Sequence, residues 1–161
     1  MGTHIKYFFF SLLLVIFQTK LVVLLSLGNI TPDVLTIWIV YVALREGQFS
    51  STVWGFGVGL FFDLVTGNFI GLSALTKTIC GFIAGFFYNE NKTAMTLRSY
   101  RFIVIVLVVS LVHNTLYFVI FTQGTDIGLI RAVFEFGIAT TAYTSVISLL
   151  PMFMFARKYA G

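Results

Sequence analysis

Two oppositely charged side chains, Asp63 and Lys77, stand in the otherwise apolar run GFGVGLFFDLVTGNFIGLSALTK, residues 55–77. An unpaired charge at the centre of a membrane helix costs roughly 2.5 to 3.5 kcal/mol on insertion scales, so each needs a partner or a route to water. At 1.5 Å per residue, Asp63 lies about 6 Å below Gly67 and Lys77 about 9 Å below Gly71, on either side of the GNFIG turn. These depths predict an Asp63–Lys77 ion pair across an antiparallel helix hairpin. The alternative is that Lys77 snorkels to the interface while Asp63 bonds some other helix. His113 and Asn114, midway along a later apolar run, either line a substrate or proton path or hydrogen-bond a neighbouring helix, and the second is the expectation. Arg131 and Glu135 form an i,i+4 pair in the less favourable order, with the arginine first, which points to a modest local role.

Beyond these groups the chain is poor in reactive chemistry. It carries no P-loop, no H-E-x-x-H, no G-x-S-x-G and no cluster of cysteine and histidine ligands. GFGVGL, residues 55–60, lacks the third glycine of a dinucleotide fingerprint. Cys80 is the single cysteine and has no partner for a disulfide, while His4 and His113 are too isolated to form a metal site. The expectation is a protein without cofactor or metal and not an enzyme, because Asp63 and Lys77 alone are too thin an acid–base set.

The elements that must hold these residues are membrane helices. Of 161 residues 58% are hydrophobic and 10% charged, with a mean hydropathy of +0.99, whereas a soluble domain is about 25% charged. A spanning helix needs roughly 20 mostly apolar residues, and apolar stretches with short polar breaks fill nearly the whole chain. The reading is an all-α polytopic membrane protein with residues 1–161 as one transmembrane domain. The opening MGTHIKYFFFSLLLVIF lacks an A-x-A-like cleavage site and is read as a retained helix.

Six spans are expected, over about 6–27, 33–44, 49–66, 71–88, 102–122 and 129–155. QTK at 18–20 interrupts the first and leaves 21–30 near the interface, and Pro151 kinks or ends the last. Pro32 and Asp33 open the second, since proline suits a first turn and a carboxylate suits the positive end of the helix dipole. With both termini cytoplasmic, Lys6, Arg45, Lys92, Arg98, Arg101, Arg157 and Lys158 fall inside, and only Lys20 and Arg131 outside. The net charge of +4 is spread over segment ends in this way, so it reflects membrane orientation and not nucleic-acid binding.

Residues four apart share a helix face. Gly55, Gly59, Asp63 and Gly67 therefore form one stripe on the third span, and Lys77, Gly81 and Gly85 a second on the fourth. Small-xxx-small stripes allow close backbone approach between membrane helices. These stripes, together with Pro32, Asp33, Arg45 and Gly71, are the candidate helix-packing or partner-binding residues, and the partner site is expected to include the outer half of the two spans.

The order TPDVLTIWIVYVALREG followed by GFGVGLFFDLVTGNFIGLSALTKTICGFIAGF resembles the bacterial rod-shape-determining MreD family. The matching features are Pro32–Asp33 at the start of the second helix, Leu44–Arg45 at its end, the pattern Gly55, Gly59, Asp63, Gly67, and the turn Gly71–Leu72. They cover about residues 31–88. The last two spans resemble the family only in hydropathy, and Lys77 has no place in its pattern. The resemblance implies an inner-membrane scaffold of the cell-elongation machinery that binds MreC and assembles with MreB, RodA and a penicillin-binding transpeptidase. In that role it would help confine peptidoglycan synthesis to the lateral wall. A likeness in fold to the substrate-binding subunits of energy-coupling-factor vitamin transporters supplies the alternative, which would need an outward-opening pocket with polar and aromatic lining.

Overall fold

A computed structural model describes residues 2–20, 24, 30–67, 69–124 and 128–158. Its regular elements are helices: α1 Gly2–Lys20, α2 Val34–Thr66, α3 Leu72–Gly85, α4 Thr93–Leu97, α5 Tyr100–Phe121, α6 Leu129–Arg131, α7 Ile138–Ile147 and α8 Leu149–Lys158. A π-helical turn, Ala132–Gly137, joins α6 to α7. Among the described residues, Val34–Thr66, Tyr100–Phe121 and Ala132–Arg157 are long and apolar enough to cross a membrane, and α3 is a shorter apolar helix. The expected interfacial stretch 21–30, apart from Leu24 and Ile30, lies outside the described residues, as does Asn68 of the GNFIG turn.

The element α2 is a folded-back pair of rods. Gly47, at φ 86° and ψ −176°, interrupts its helical backbone in a region only glycine occupies readily. The Tyr7 ring of α1 lies 5.3 Å from the Trp38 ring and 6.2 Å from the Trp54 ring. In a straight helix Trp38 and Trp54 would stand about 24 Å apart along the axis, so one ring could not touch both. The chain therefore reverses at Gly47, giving a first arm, 34–46, and a second, 48–66. What the sequence presents as two spans with a linker has no loop between them.

The first arm is buried on most sides. Leu35, Trp38 and Val42, with Val58 of the second arm, pack with Tyr7, Leu14 and Val15 of α1, while Ile37, Val40 and Leu44 pack with Cys80 and Ala84 of α3 and with Phe102, Ile105, Val106 and Val109 of α5. The buried positions of α5 (102, 105, 106, 109, 110, 113 and 114) recur at three- and four-residue steps, the single stripe expected of a helix with one protein-facing side. Its other side carries exposed Val104, Leu107 and Leu111.

Two local details depart from expectation. Gln18, inside the QTK interruption, has a packing role: its side-chain amide donates to Pro32 O at 2.8 Å and accepts from Val34 N at 2.9 Å, tying α1 to the start of α2. The break in the last rod falls at Ser148, between α7 and α8, and not at Pro151. A proline ring crowds the carbonyl four residues back, here Ile147, so the distortion appears one turn before the proline.

Candidate functional site

The glycine stripes face each other inside the protein. A Cβ at Gly55 would strike the Lys77 carbonyl oxygen, one at Gly81 the Ser51 carbonyl oxygen, and one at Gly85 the Gln48 backbone. At Gly59 it would stand 2.5 Å from Ser73 O and 2.6 Å from Ala74 Cα. The second arm of α2 and α3 therefore touch backbone to backbone along their length. Ser51 spans this seam, its hydroxyl donating to Gly81 O at 2.8 Å. Gly67 and Gly71 have no packing role, with open space where a Cβ would sit. What they contribute is backbone geometry: φ is 68° at the end of α2 and 100° at the start of α3, the left-handed region that glycine enters at no steric cost.

Asp63 is fully buried and does not meet Lys77. Its carboxylate crosses the turn and accepts from the backbone of Gly71 at 2.9 Å, Ser73 at 3.0 Å and Ala74 at 3.3 Å. These are among the amides at the start of α3 that have no partner within the helix. The residue at the N-cap, Gly71, has no side chain to satisfy them, so Asp63 supplies the cap from the neighbouring rod and places a negative charge at the positive end of the α3 dipole. The expected ion pair is thereby corrected, because matched depth below a turn says nothing about which way each side chain leaves its helix.

Lys77 leaves α3 toward the first arm of α2. Its Nζ lies 2.6 Å from Asp33 Oδ2 and 3.3 Å from Thr36 Oγ1, and the residue is 2% exposed. Asp33 is the N-cap of α2, accepting from Thr36 N at 3.0 Å and Thr36 Oγ1 at 2.7 Å. His113 Nε2 of α5 stands 3.1 Å from the same Asp33 Oδ2. The Asp33 backbone amide donates to Thr144 Oγ1 of α7 at 3.0 Å. Beside it, Asn114 Nδ2 donates to Thr141 Oγ1 at 2.9 Å.

One carboxylate thus gathers the start of α2, the middle of α3, α5 and, through its backbone, α7. The arrangement suits the locking of four rods: the Asp33 carboxylate accepts from an ammonium, a hydroxyl, an amide and an imidazole, which leaves little lone-pair capacity for outside chemistry. Within this cluster His113 Nδ1 is buried and has no hydrogen-bond partner.

The helix-bonding expectation for His113 and Asn114 therefore matches what the structure places there, and the Arg131–Glu135 pair is present at 2.7 Å on an exposed surface. Pro32 is buried beside the cluster and offers its carbonyl to Gln18. Arg45 is exposed at the far end of the first arm and donates to Tyr41 Oη at 3.0 Å.

Sequence reasoning missed a third small-residue stripe on the last rod. Gly137, Thr141, Thr144, Ser145 and Ser148 turn inward, and Thr141, Thr144 and Ser145 each return their hydroxyl to the carbonyl four residues back. Its signal, G-x-x-x-T-x-x-T-S-x-x-S, is present in the sequence and obeys the same close-approach logic as the glycine stripes.

A family model described as rod shape-determining protein MreD matches residues 2–159. No curated protein and no solved structure matches the chain.

Proposed function

The chain belongs to the rod shape-determining protein MreD family, and from that premise we propose that it is an inner-membrane scaffold of the cell-elongation machinery, helping position peptidoglycan synthesis along the lateral wall. Membership is consistent with a role in rod-shape determination, and the three long apolar helices among the described residues support a membrane protein. The finer reading gives six crossings, with the two arms of α2 counted separately and both termini cytoplasmic. MreC is the direct partner, and RodA, a penicillin-binding transpeptidase and MreB are the wider assembly.

The observation that carries this reading is where the intramembrane charges go. Asp33, Lys77 and Asp63 are all committed to bonds within the bundle, a use that fixes the shape of a rigid platform. A vitamin-binding subunit is not favoured, since the polar groups that would recognise a solute are spent on the fold. Because the glycine stripes are turned inward, the partner surface on this hairpin is its opposite face, where Phe56, Leu64, Leu75 and Phe82 are exposed.

Depletion of the protein from a rod-shaped cell, with recovery of its partners in mild detergent, tests the proposal. Rounded cells and co-purified MreC are the expected result. Cells of unchanged shape, with a small solute retained by the purified protein, would overturn it.

A further inference from the structure

A groove of about 580 Å³ runs between α1, the first arm of α2, the start of α5 and the α7–α8 rod. Leu14, Ile37, Leu150 and Phe155 line it along its length, and Lys6 is its charged lining residue. The antiparallel packing of α1 on the first arm fixes its two ends. Gln18 bonds Pro32 and Val34 at one, and Tyr7 Oη donates to Glu46 Oε1 at the other. Lys6 therefore lies at the Tyr41 end. There the Arg45 guanidinium donates to the Tyr41 hydroxyl, itself part of the lining, and lies 5.8 Å from the centre of its ring. Two basic side chains, Lys6 and Arg45, thus stand with Glu46 at this end, while the lining residues Leu14, Phe17 and Pro32 at the other are uncharged.

From Lys6 to Phe17 the groove follows α1 for about 16 Å. Basic side chains at one end of a long apolar trough have the form of a site for an anionic headgroup with a hydrocarbon tail. We propose that this groove binds one acyl chain of an anionic phospholipid, with the headgroup phosphate held by Lys6 and Arg45. The inference rests on the groove and on membrane embedding, and stands independently of the elongation-machinery reading.

The test reconstitutes the full chain in nanodiscs holding equal phosphatidylglycerol and phosphatidylcholine, then counts retained lipids by native mass spectrometry. The expected result is one retained phosphatidylglycerol. Lys6→Gln should lower the preference over phosphatidylcholine about fivefold, from the attraction of one basic residue for an anionic surface. Leu150→Trp, at a site 66% exposed and so tolerant of a larger side chain, should obstruct the groove and lower retention while circular dichroism stays native. Equal retention of the two lipids, or unchanged retention in both variants, would overturn the proposal. So would efficient cross-linking of Leu150→Cys to a partner's transmembrane helix in cell membranes, because that helix would then occupy the groove.

Discussion

Removing the Asp63 carboxylate should unpin the start of α3 in a graded way. Three backbone amides converge on it, and a hydrogen bond to a charged group contributes about 1.5 to 3 kcal/mol. Gly71 is only half-buried, so water can replace the carboxylate there, whereas Ser73 and Ala74 are 2% and 1% exposed and would be left unsatisfied. Counting those two at the low end, Asp63→Ala costs about 3 kcal/mol, or a shift of more than a hundredfold in the folding equilibrium. Asp63→Asn keeps one acceptor oxygen and loses the charge facing the helix dipole, so about half that cost is expected. Unfolding in mixed micelles by titration with sodium dodecyl sulfate, followed by circular dichroism, measures both. Combined with Lys77→Met, the Asn change should be additive to within about 0.5 kcal/mol, since the two residues share no partner. Stability of Asp63→Ala within 0.5 kcal/mol of the parent would refute the capping account, and strong mutual compensation with Lys77→Met would restore the direct ion pair.

Other substitutions probe the seam, the reversal and the hydroxyl stripe. Gly55→Ala and Gly81→Ala drive a methyl into the facing backbone and should each cost about 1 to 3 kcal/mol. Gly57→Ala, with nothing within 4 Å of the new atom, should be neutral or stabilising by up to about 1 kcal/mol; the same titration compares all three. Gly47→Ala should lose about 1 to 3 kcal/mol from backbone strain alone, because its added Cβ meets only the Tyr88 ring at ordinary contact distance; a cost near zero would mean that the reversal at residue 47 needs no glycine. A double-mutant cycle of Asn114→Leu with Thr141→Val should return a coupling of about 0.6 kcal/mol, the average for interhelical hydrogen bonds in membranes.

The all-helical, membrane character was legible because membrane hydropathy leaves little choice, and the α2–α3 seam was legible because glycines four apart declare a face. The polar contacts were not. Lys77 and Asp33 lie 44 residues apart, and no spacing rule connects a lysine in the fourth apolar stretch to the carboxylate opening the second. Asp63 and Lys77 were nearer and opposite in charge, which made the wrong pair look natural. A signal for the true arrangement existed: a helix whose first residue is preceded by Gly71 must find its capping acceptor elsewhere, and Asp63 is the buried acid closest in sequence. The residues that carried the resemblance gain a physical reading from this. Gly55 and Gly59 permit contact, Asp63 caps, Gly67 and Gly71 turn the chain, and Asp33 gathers the bundle, with Lys77 as its counter-charge.

The buried Asp33–Lys77 pair should lock the bundle on which rod-shape determination depends, and a double-mutant cycle read in both stability and cell shape tests this most directly. Asp33→Asn keeps an N-cap acceptor but strands the Lys77 ammonium, and Lys77→Met strands the carboxylate, so each single change should cost about 3 to 5 kcal/mol and leave cells round. The double variant buries no unpaired charge. It should regain at least about 2 kcal/mol over the sum of the singles and return cells to rods. A double variant no more stable than that sum would contradict the pairing, and a stable double variant in round cells would give the charges a direct part in function beyond the fold.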